Sequence, residues 1–118
     1  MSYDLILTDN FKKEAKKLLK KYASLKLELA ELGELLQENP TLGISLGNGV
    51  FKIRLAVASK NKGKSGGMRI LYLVRIINQK IYLFSIFDKS EKESISAKDI
   101  TEILKMKTFY NTKPTSKS

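Results

Sequence analysis

The spacing of hydrophobic residues changes several times along the chain, and each change marks a different element. Tyr3 to Leu7 is a short apolar run ahead of Thr8-Asp9-Asn10, which predicts a strand that leads into a helix cap. Apolar residues then recur at helical spacing, at Phe11, Ala15, Leu18, Leu19, Tyr22 and Leu25. Ser24 is a candidate cap for a second helix, whose apolar face is Leu25, Leu29, Leu32 and Leu36. Asn39-Pro40 ends this helix, because proline disfavours the helical conformation of the preceding residue.

Beyond Pro40 the pattern changes to that of strands. The glycine-containing segment from Thr41 to Val50 is predicted to be a loop. Phe51, Ile53, Leu55 and Val57 alternate with Lys52, Arg54 and Ala56, which predicts a half-buried strand with two cations on its outer face. After a loop from Ala58 to Gly67, the runs Met68 to Ile77 and Ile81 to Phe87 predict an antiparallel hairpin. Ser96 to Asp99 resembles a capping box that opens a last helix with Ile100, Ile103 and Leu104 inside.

Together these elements predict an α+β fold, in which a small antiparallel sheet packs against helices in the order β-α-α-β-β-β-α. We expect a single domain over residues 1–107, followed by a polar C-terminal tail over residues 108–118. Since the helices can cover one face of the sheet, the other face is expected to show Lys52 and Arg54.

The distribution of charge distinguishes the two halves of the chain. Residues 1–50 hold seven Lys and seven Asp or Glu, whereas residues 51–118 hold fifteen Lys or Arg and five Asp or Glu. The net charge of +10 therefore belongs to the second half, and between Phe51 and Phe87 there are eight basic residues and no acidic one. A field of one sign attracts polyanions, whereas a surface that serves solubility mixes both signs.

The composition excludes several kinds of site. The chain has no cysteine and no histidine, so disulfides, iron–sulfur clusters and histidine acid–base catalysis are excluded, and no metal or other cofactor is expected. No apolar run approaches the roughly 20 residues that span a bilayer. The segment from Met1 to Asn10 carries Asp4 and Asp9 and no basic residue, unlike a signal peptide. We therefore expect a cytoplasmic protein without a membrane partner.

Gly63-Lys64-Ser65 is similar to the end of a phosphate-binding Walker motif, but the match is incomplete. The motif needs a glycine where this chain has Ala58, and a helix where Met68 to Ile77 predicts a strand. Nucleotide binding is therefore not expected at this loop.

Basic residues form the stronger constellation. Lys52 and Arg54 are two apart on one strand, so both point to the same face. The loop adds Lys60, Lys62 and Lys64, Arg69 begins the next strand, and Lys89 follows the last one. Lysine suits a phosphodiester as a point charge and arginine as a bidentate fork.

Such residues can cleave RNA without histidine or metal, because the ribose 2′-hydroxyl is itself the nucleophile. The enzyme must remove that proton, stabilise charge on the phosphate and protonate the leaving oxygen. Arg69 is the expected clamp on the phosphate, because its fork can hold two oxygens, and Lys52 is the expected base. The same residues also suit binding without catalysis.

Three segments carry a resemblance to a known family. They are Val50 to Leu55, Lys62 to Tyr72 with its Gly66-Gly67-Met68-Arg69-Ile70 stretch, and Ile81 to Glu91. They resemble the RelE/ParE superfamily of toxins, and most of all its HigB-like branch, which has a lysine-rich loop and a GGxRI strand. The resemblance extends from about Phe11 to Ile103.

The resemblance implies a toxin of a type II toxin–antitoxin pair that cleaves messenger RNA in the ribosomal A site. Its partners would be messenger RNA, ribosomal RNA and a cognate antitoxin protein, which we expect to have a helix-turn-helix. The family's basic active-site positions match Lys52, Arg54, Arg69 and Lys89, and we assign RNA binding to Lys60, Lys62, Lys64 and Ser65. Family members often have an arginine where this chain has Ser90 and a tyrosine a few residues later, whereas residues 91–97 contain no aromatic residue. The sequence thus leaves open which groups act as acid and base.

Two other functions remain compatible with the sequence. One is a ParE-type inhibitor of DNA gyrase, since a shared fold does not fix function. The other is a non-catalytic RNA-binding module, which would need aromatic stacking platforms on the exposed face of the sheet. That face is expected to show cations and few aromatic residues, with Tyr72 and Tyr82 packed in the core.

Overall fold

A computed structural model describes residues 3–60 and 67–89, together with Lys98 and Thr101. Its elements, in chain order, are β1 (Asp4–Leu7), α1 (Asp9–Lys21), α2 (Leu25–Glu38), β2 (Ile44–Gly47), β3 (Val50–Leu55), a short 3-10 turn (Ala58–Lys60), β4 (Met68–Arg75) and β5 (Lys80–Asp88). The α+β class and the predicted order are confirmed as far as β5. The predicted last helix lies outside the described residues except for Lys98 and Thr101, which are helical.

The strands form one five-stranded sheet in the order β1-β5-β4-β3-β2. Three neighbouring pairs are antiparallel, but β1 runs parallel to β5, with Asp4 beside Lys80 and Leu7 beside Leu83. The sheet is therefore mixed rather than purely antiparallel. A parallel pair needs a long connection, and here α1, α2 and the antiparallel strands supply it.

The predicted loop from Thr41 to Val50 contains a strand that the sequence pattern did not indicate. β2 pairs with the start of β3, Ile44 opposite Lys52 and Ser45 opposite Phe51. Ile44 and Leu46 alternate with Ser45 and Gly47, but all four residues are exposed and the segment is rich in glycine, which favoured a loop. The turn into β3 uses Asn48 and Gly49, both with positive φ.

Both helices begin and end close to their predicted bounds. The Thr8 hydroxyl accepts a hydrogen bond from Phe11 N at 3.2 Å, which caps α1 as expected. Ser24 precedes α2, but its hydroxyl makes no cap; it contacts Glu28 and Ser59 instead, at 3.1 and 2.9 Å. The backbone of Asn39 bonds to Leu35 O where α2 ends, ahead of Pro40.

The face of the sheet that packs on α1 and α2, called here the first face, holds the main core. Its side chains come from alternate residues of β3 and β4, and Ile70 and Tyr72 are fully buried there. Phe11, Ala15, Leu18, Leu25, Leu32 and Leu36 of the helices pack against them. Leu19 was predicted in this core but is 39% exposed.

The opposite, second face holds a smaller apolar cluster beside its cations. Val50, Leu71, Leu73, Tyr82, Phe84 and Phe87 are buried on it. The face is thus more aromatic than the sequence suggested, although Tyr82 is buried as expected. In the described part of the chain, no helix is long and apolar enough to cross a membrane.

A candidate RNA-binding and catalytic surface

The register of β3 and β4 brings two arginines directly opposite each other. Arg54 pairs with Arg69, and Lys52, two residues before Arg54 on β3, lies opposite Leu71. Lys52 and Arg54 alternate with Phe51, Ile53 and Leu55, which all pack on the first face, so the basic side chains project from the second face. The register therefore places Lys52, Arg54 and Arg69 on one face of the sheet.

The two opposing arginines differ in their surroundings. Arg54 is exposed, whereas Arg69 is only 3% exposed, and its guanidinium donates to Met68 O at 3.3 Å. Burial lowers the pKa of Arg69 from its usual value, and the nearby charge of Arg54 lowers it further. Arginine stays charged across the physiological range, so the lowered pKa means that this cation is destabilised where it lies.

Lys89 lies at the same end of the sheet as Arg69. Arg69 is opposite Phe87 on β5, and Lys89 N donates to Gly67 O at 3.1 Å. Gly67 itself lies against β3, because an added Cβ would clash with Leu55 O. Lys52, Arg54, Arg69 and Lys89 are called here the cationic cluster.

A β-bulge determines which face Phe87 and Lys89 occupy. Leu71 pairs with Ser85 and Tyr72 with Leu83, so Phe84 has no partner of its own on β4. Before the bulge Tyr82 and Phe84 share the second face, and after it Phe87 takes that face while Ile86 packs on the first. Strict alternation would have turned Phe87 and Lys89 towards the helices.

Two side chains of α1 bind the backbone groups at this bulge. Glu14 Oε1 accepts hydrogen bonds from Ile86 N at 3.1 Å and from Ser85 Oγ at 3.0 Å. Asn10 Nδ2 donates to Phe84 O at 2.8 Å and to the same Glu14 oxygen at 3.1 Å. A bulge leaves ladder groups unpaired, and here α1 satisfies them. Sequence analysis missed Asn10 and Glu14 as positioning residues; the polar Ser85 inside an apolar strand was the available signal.

The loop residues assigned to RNA binding are only partly placed. Lys60 ends the 3-10 turn, while Lys62, Lys64 and Ser65 lie outside the described residues. β4 follows this segment where a Walker motif would require a helix. Among the described residues, no group of three or more carboxylates is arranged to hold a metal ion.

A family model for the RelE toxin of the RelE/RelB toxin–antitoxin system matches residues 5–117. This chain belongs to the RelE toxin family. Among solved structures it is similar to the Escherichia coli toxin RelE, an arginine-to-alanine double mutant in the free state, with 19% identity and a TM-score of 0.61. That match covers 88% of this chain and all of the other, and it shows that this family member has the RelE fold.

Proposed function

We propose that this RelE-family chain is a ribosome-dependent endoribonuclease of the HigB-like branch, acting in the cytoplasm on messenger RNA. The observation that carries the proposal is the pairing of Arg54 with Arg69 on the face that also presents Lys52. Arginine forks and a lysine point charge on one face of a sheet suit an anionic ligand such as a phosphodiester. RNA supplies such an anion together with a 2′-hydroxyl nucleophile.

The reaction requires one base, one clamp and one proton for the leaving group. Lys52 would take the proton of the 2′-hydroxyl, whose oxygen then attacks the adjacent phosphorus. Arg69 would hold two phosphate oxygens as negative charge builds up, because its fork matches them. The bond between phosphorus and the 5′-oxygen breaks and that oxygen takes a proton from water, so the products are a 2′,3′-cyclic phosphate and a 5′-hydroxyl. Lys89 would be a supporting contact, and the chemistry needs no metal.

Single-turnover cleavage of messenger on programmed ribosomes tests this assignment, with ribosome binding measured in parallel. Arg69→Ala should lose about 100- to 1,000-fold in cleavage rate, which is typical for removal of one charge-stabilising donor. Arg69→Lys should recover only part of the loss, since a point charge does not replace a fork. Arg75→Ala is the matched control, because Arg75 is exposed at the other end of β4.

The outcomes separate the competing functions. If Lys52→Ala and Arg69→Ala both cleave at the parent rate, the catalytic site lies elsewhere. If both lose binding and cleavage in proportion, these residues position RNA without catalysing. A parent protein that inhibits gyrase supercoiling and cleaves no messenger would be a ParE-type inhibitor instead.

Toxicity and its neutralisation give a second test. Induced expression should stop translation and growth of a bacterial host, and co-expression of a cognate antitoxin, for which we expect a helix-turn-helix protein, should restore growth. Normal growth at high soluble expression would contradict the toxin function.

The lysine-rich loop is assigned to ribosomal RNA rather than to the scissile bond. Replacing Lys60, Lys62 and Lys64 together with alanine should weaken ribosome binding and flatten its salt dependence. Each lost phosphate contact should reduce the slope of log K against log salt by about 0.7 to 0.9. An unchanged slope would show that the loop does not contact RNA.

A further inference from the structure

A groove of about 660 Å³ lies between α1, α2 and the edge strand β1. Its floor is made of leucines from β1 and β5, namely Leu5, Leu7 and Leu83. On its α2 side the groove is lined by Ala30 and Gly33, whose short side chains leave the space between the helices unfilled. This groove is called here the lysine-rimmed groove.

The end of α2 is fixed against β1, which keeps the groove in shape. Tyr3 N donates to Gln37 O at 3.0 Å, and Gln37 Nε2 donates to Tyr3 O at 3.0 Å. Gly33 packs directly on the strand, because an added Cβ would stand 2.9 Å from Leu5 Cδ2. The space between the helices is therefore a built part of the fold.

The apolar lining of the groove is accessible from solvent. Leu7 is 40% exposed and Leu19 39%, while Leu5 and Leu29 are half-buried. Leu19 thus lines this groove instead of filling the core. Small-molecule pockets usually have volumes of about 300 to 1,000 Å³ and a mostly apolar lining, and the lysine-rimmed groove has both properties.

The rim of the groove carries positive charge. Lys12, Lys16 and Lys20 are four residues apart, so they form one row along α1, and Lys26 lies at the start of α2. All four side chains are exposed. Among the described residues that line the groove, Glu34 is the only acidic one. Lysine stems can cover an apolar surface while their ammonium groups remain in water, so the charge lies above the leucines.

We propose that the lysine-rimmed groove binds a long-chain carboxylic acid in its anionic form. The unbranched hydrocarbon chain lies on the leucine floor, where burial of each methylene is favourable. The carboxylate lies among the lysines of the rim, which attract an anion and disfavour a cation. The groove is on the helix side of the sheet, whereas the cationic cluster projects from the second face, so this binding does not rest on RNA cleavage.

Titration of the full chain with dodecanoate, kept below the concentration at which it forms micelles, tests the proposal. Calorimetry should show a single saturable site, and NMR should show shifts of the methyl groups of Leu5, Leu7 and Leu19. Decanoate should bind about tenfold more weakly, because two fewer methylenes are buried. Dodecyltrimethylammonium has a chain of the same length but a positive head, and it should bind at least about tenfold more weakly than dodecanoate.

A pair of neighbouring lysines separates the rim from net charge. Lys16→Glu should weaken dodecanoate binding about tenfold, since an attraction becomes a repulsion. Lys17→Glu is the matched control, because it makes the same change of charge at an exposed residue that is not among the described lining residues. It should weaken binding by less than about threefold, since solvent and salt screen a charge on another side of α1.

A second pair of variants tests the space itself. Ala30→Trp should weaken dodecanoate binding about tenfold or more, because the indole occupies the groove. Leu27→Trp is its control, since Leu27 is 65% exposed on the same helix and is not among the described lining residues. Circular dichroism checks that α1 and α2 are retained, and if one variant loses its helices the other pair still decides.

Four results would overturn the proposal. Equal affinity for dodecanoate and dodecyltrimethylammonium would show that the rim does not select an anion. Equal losses in Lys16→Glu and Lys17→Glu would show attraction by net charge alone. Binding only above the micelle concentration would mean that the protein meets a lipid surface and not a single chain. Leucine shifts that depend on protein concentration without ligand, together with dimers in sedimentation, would make a second copy of this chain the occupant.

Discussion

The two faces of the sheet are formed by the same strands but differ in what they contribute to the protein. On β4, Ile70 and Tyr72 of the first face are sealed against two helices, while Arg69 on the second face lies opposite Arg54. Both faces gain free energy from buried apolar side chains, but only the second also holds two like charges opposite each other. A shift of β4 by one residue in its pairing register would turn its buried residues to the second face and its charged residue to the first. The contrast suggests that stability and ligand binding can be altered separately.

The largest expected effect is loss of stability on the first face. Ile70→Ala should lower the free energy of unfolding by about 2 to 5 kcal/mol, because it leaves a cavity in a fully buried position. Ile77→Ala is the control, since Ile77 is 96% exposed and its change should stay within about 0.5 kcal/mol. Urea unfolding measures both. Equal losses would contradict the assignment of the core to the first face.

The bulge in β5 links the two faces, and Glu14 tests this link. Glu14→Ala should cost about 1.5 to 3 kcal/mol of unfolding free energy, because the buried amide of Ile86 loses a charged acceptor. RNA cleavage should fall as well, since Phe87 and Lys89 are then less firmly held beside Arg69. Glu14→Gln keeps an acceptor oxygen and should recover part of both losses.

The control for Glu14 is Glu38→Ala, an exposed position at the end of α2. Unfolding in urea and single-turnover cleavage are measured for all three variants. Stability lost without any change in cleavage would mean that the bulge supports the core alone and does not position the cationic cluster.

A smaller effect is expected at Tyr72, which holds Gly43 beside β3. Tyr72→Phe should lower the free energy of unfolding by about 1 kcal/mol at neutral pH, because Gly43 N loses its acceptor. Burial raises the pKa of Tyr72, although the Gly43 hydrogen bond opposes the shift. The folded state therefore favours the protonated phenol, and this stability is present below about pH 10 and lost as pH rises through the raised pKa. The difference in unfolding free energy between the parent and Tyr72→Phe should therefore shrink above about pH 10. A difference that widens with pH would show that the protonated phenol is not its cause.

The smallest effect concerns the repulsion on the second face. Arg54→Gln should raise the free energy of unfolding by about 0.5 kcal/mol, because a like charge opposite Arg69 is removed. The gain should fall at high salt, which screens the repulsion, and Arg54→Lys should give none. Thermal unfolding at two salt concentrations checks both statements. A loss of stability in Arg54→Gln would show that packing of the arginine outweighs its charge.

The fold was predictable wherever burial of one face makes apolar residues recur at a regular spacing in the sequence. α1, α2 and β3 to β5 appear in the pattern because each buries one stripe or one face. β2 was missed because it is only four residues long, lies in a glycine-rich segment and buries none of its residues. The strand predicted over Met68 to Ile77 is too long, because Ile76 and Ile77 are apolar yet exposed in a turn.

The candidate site also has one part that the sequence predicts and one part that it does not. Lys52 and Arg54 share a face by simple alternation. Arg69 lies on the same face because the register of β3 and β4 places it directly opposite Arg54. The placement of Phe87 depends on the bulge, which interrupts the alternation and is held by side chains from a distant helix. No local pattern contains that information. The parallel pairing of β1 with β5 is equally non-local.

That parallel pairing has a consequence for the order in which the chain can fold during synthesis. β3 and β4 are close in sequence and can pair early, so Arg54 and Arg69 meet in a local hairpin. β1 has no partner until β5 exists, and the start of α1 is anchored to β5 through Thr8, Asn10 and Glu14. Long-range pairings of this kind form slowly. A nascent chain would therefore carry its arginine pair before its sheet is closed, and native structure would follow only after β5 has left the ribosome.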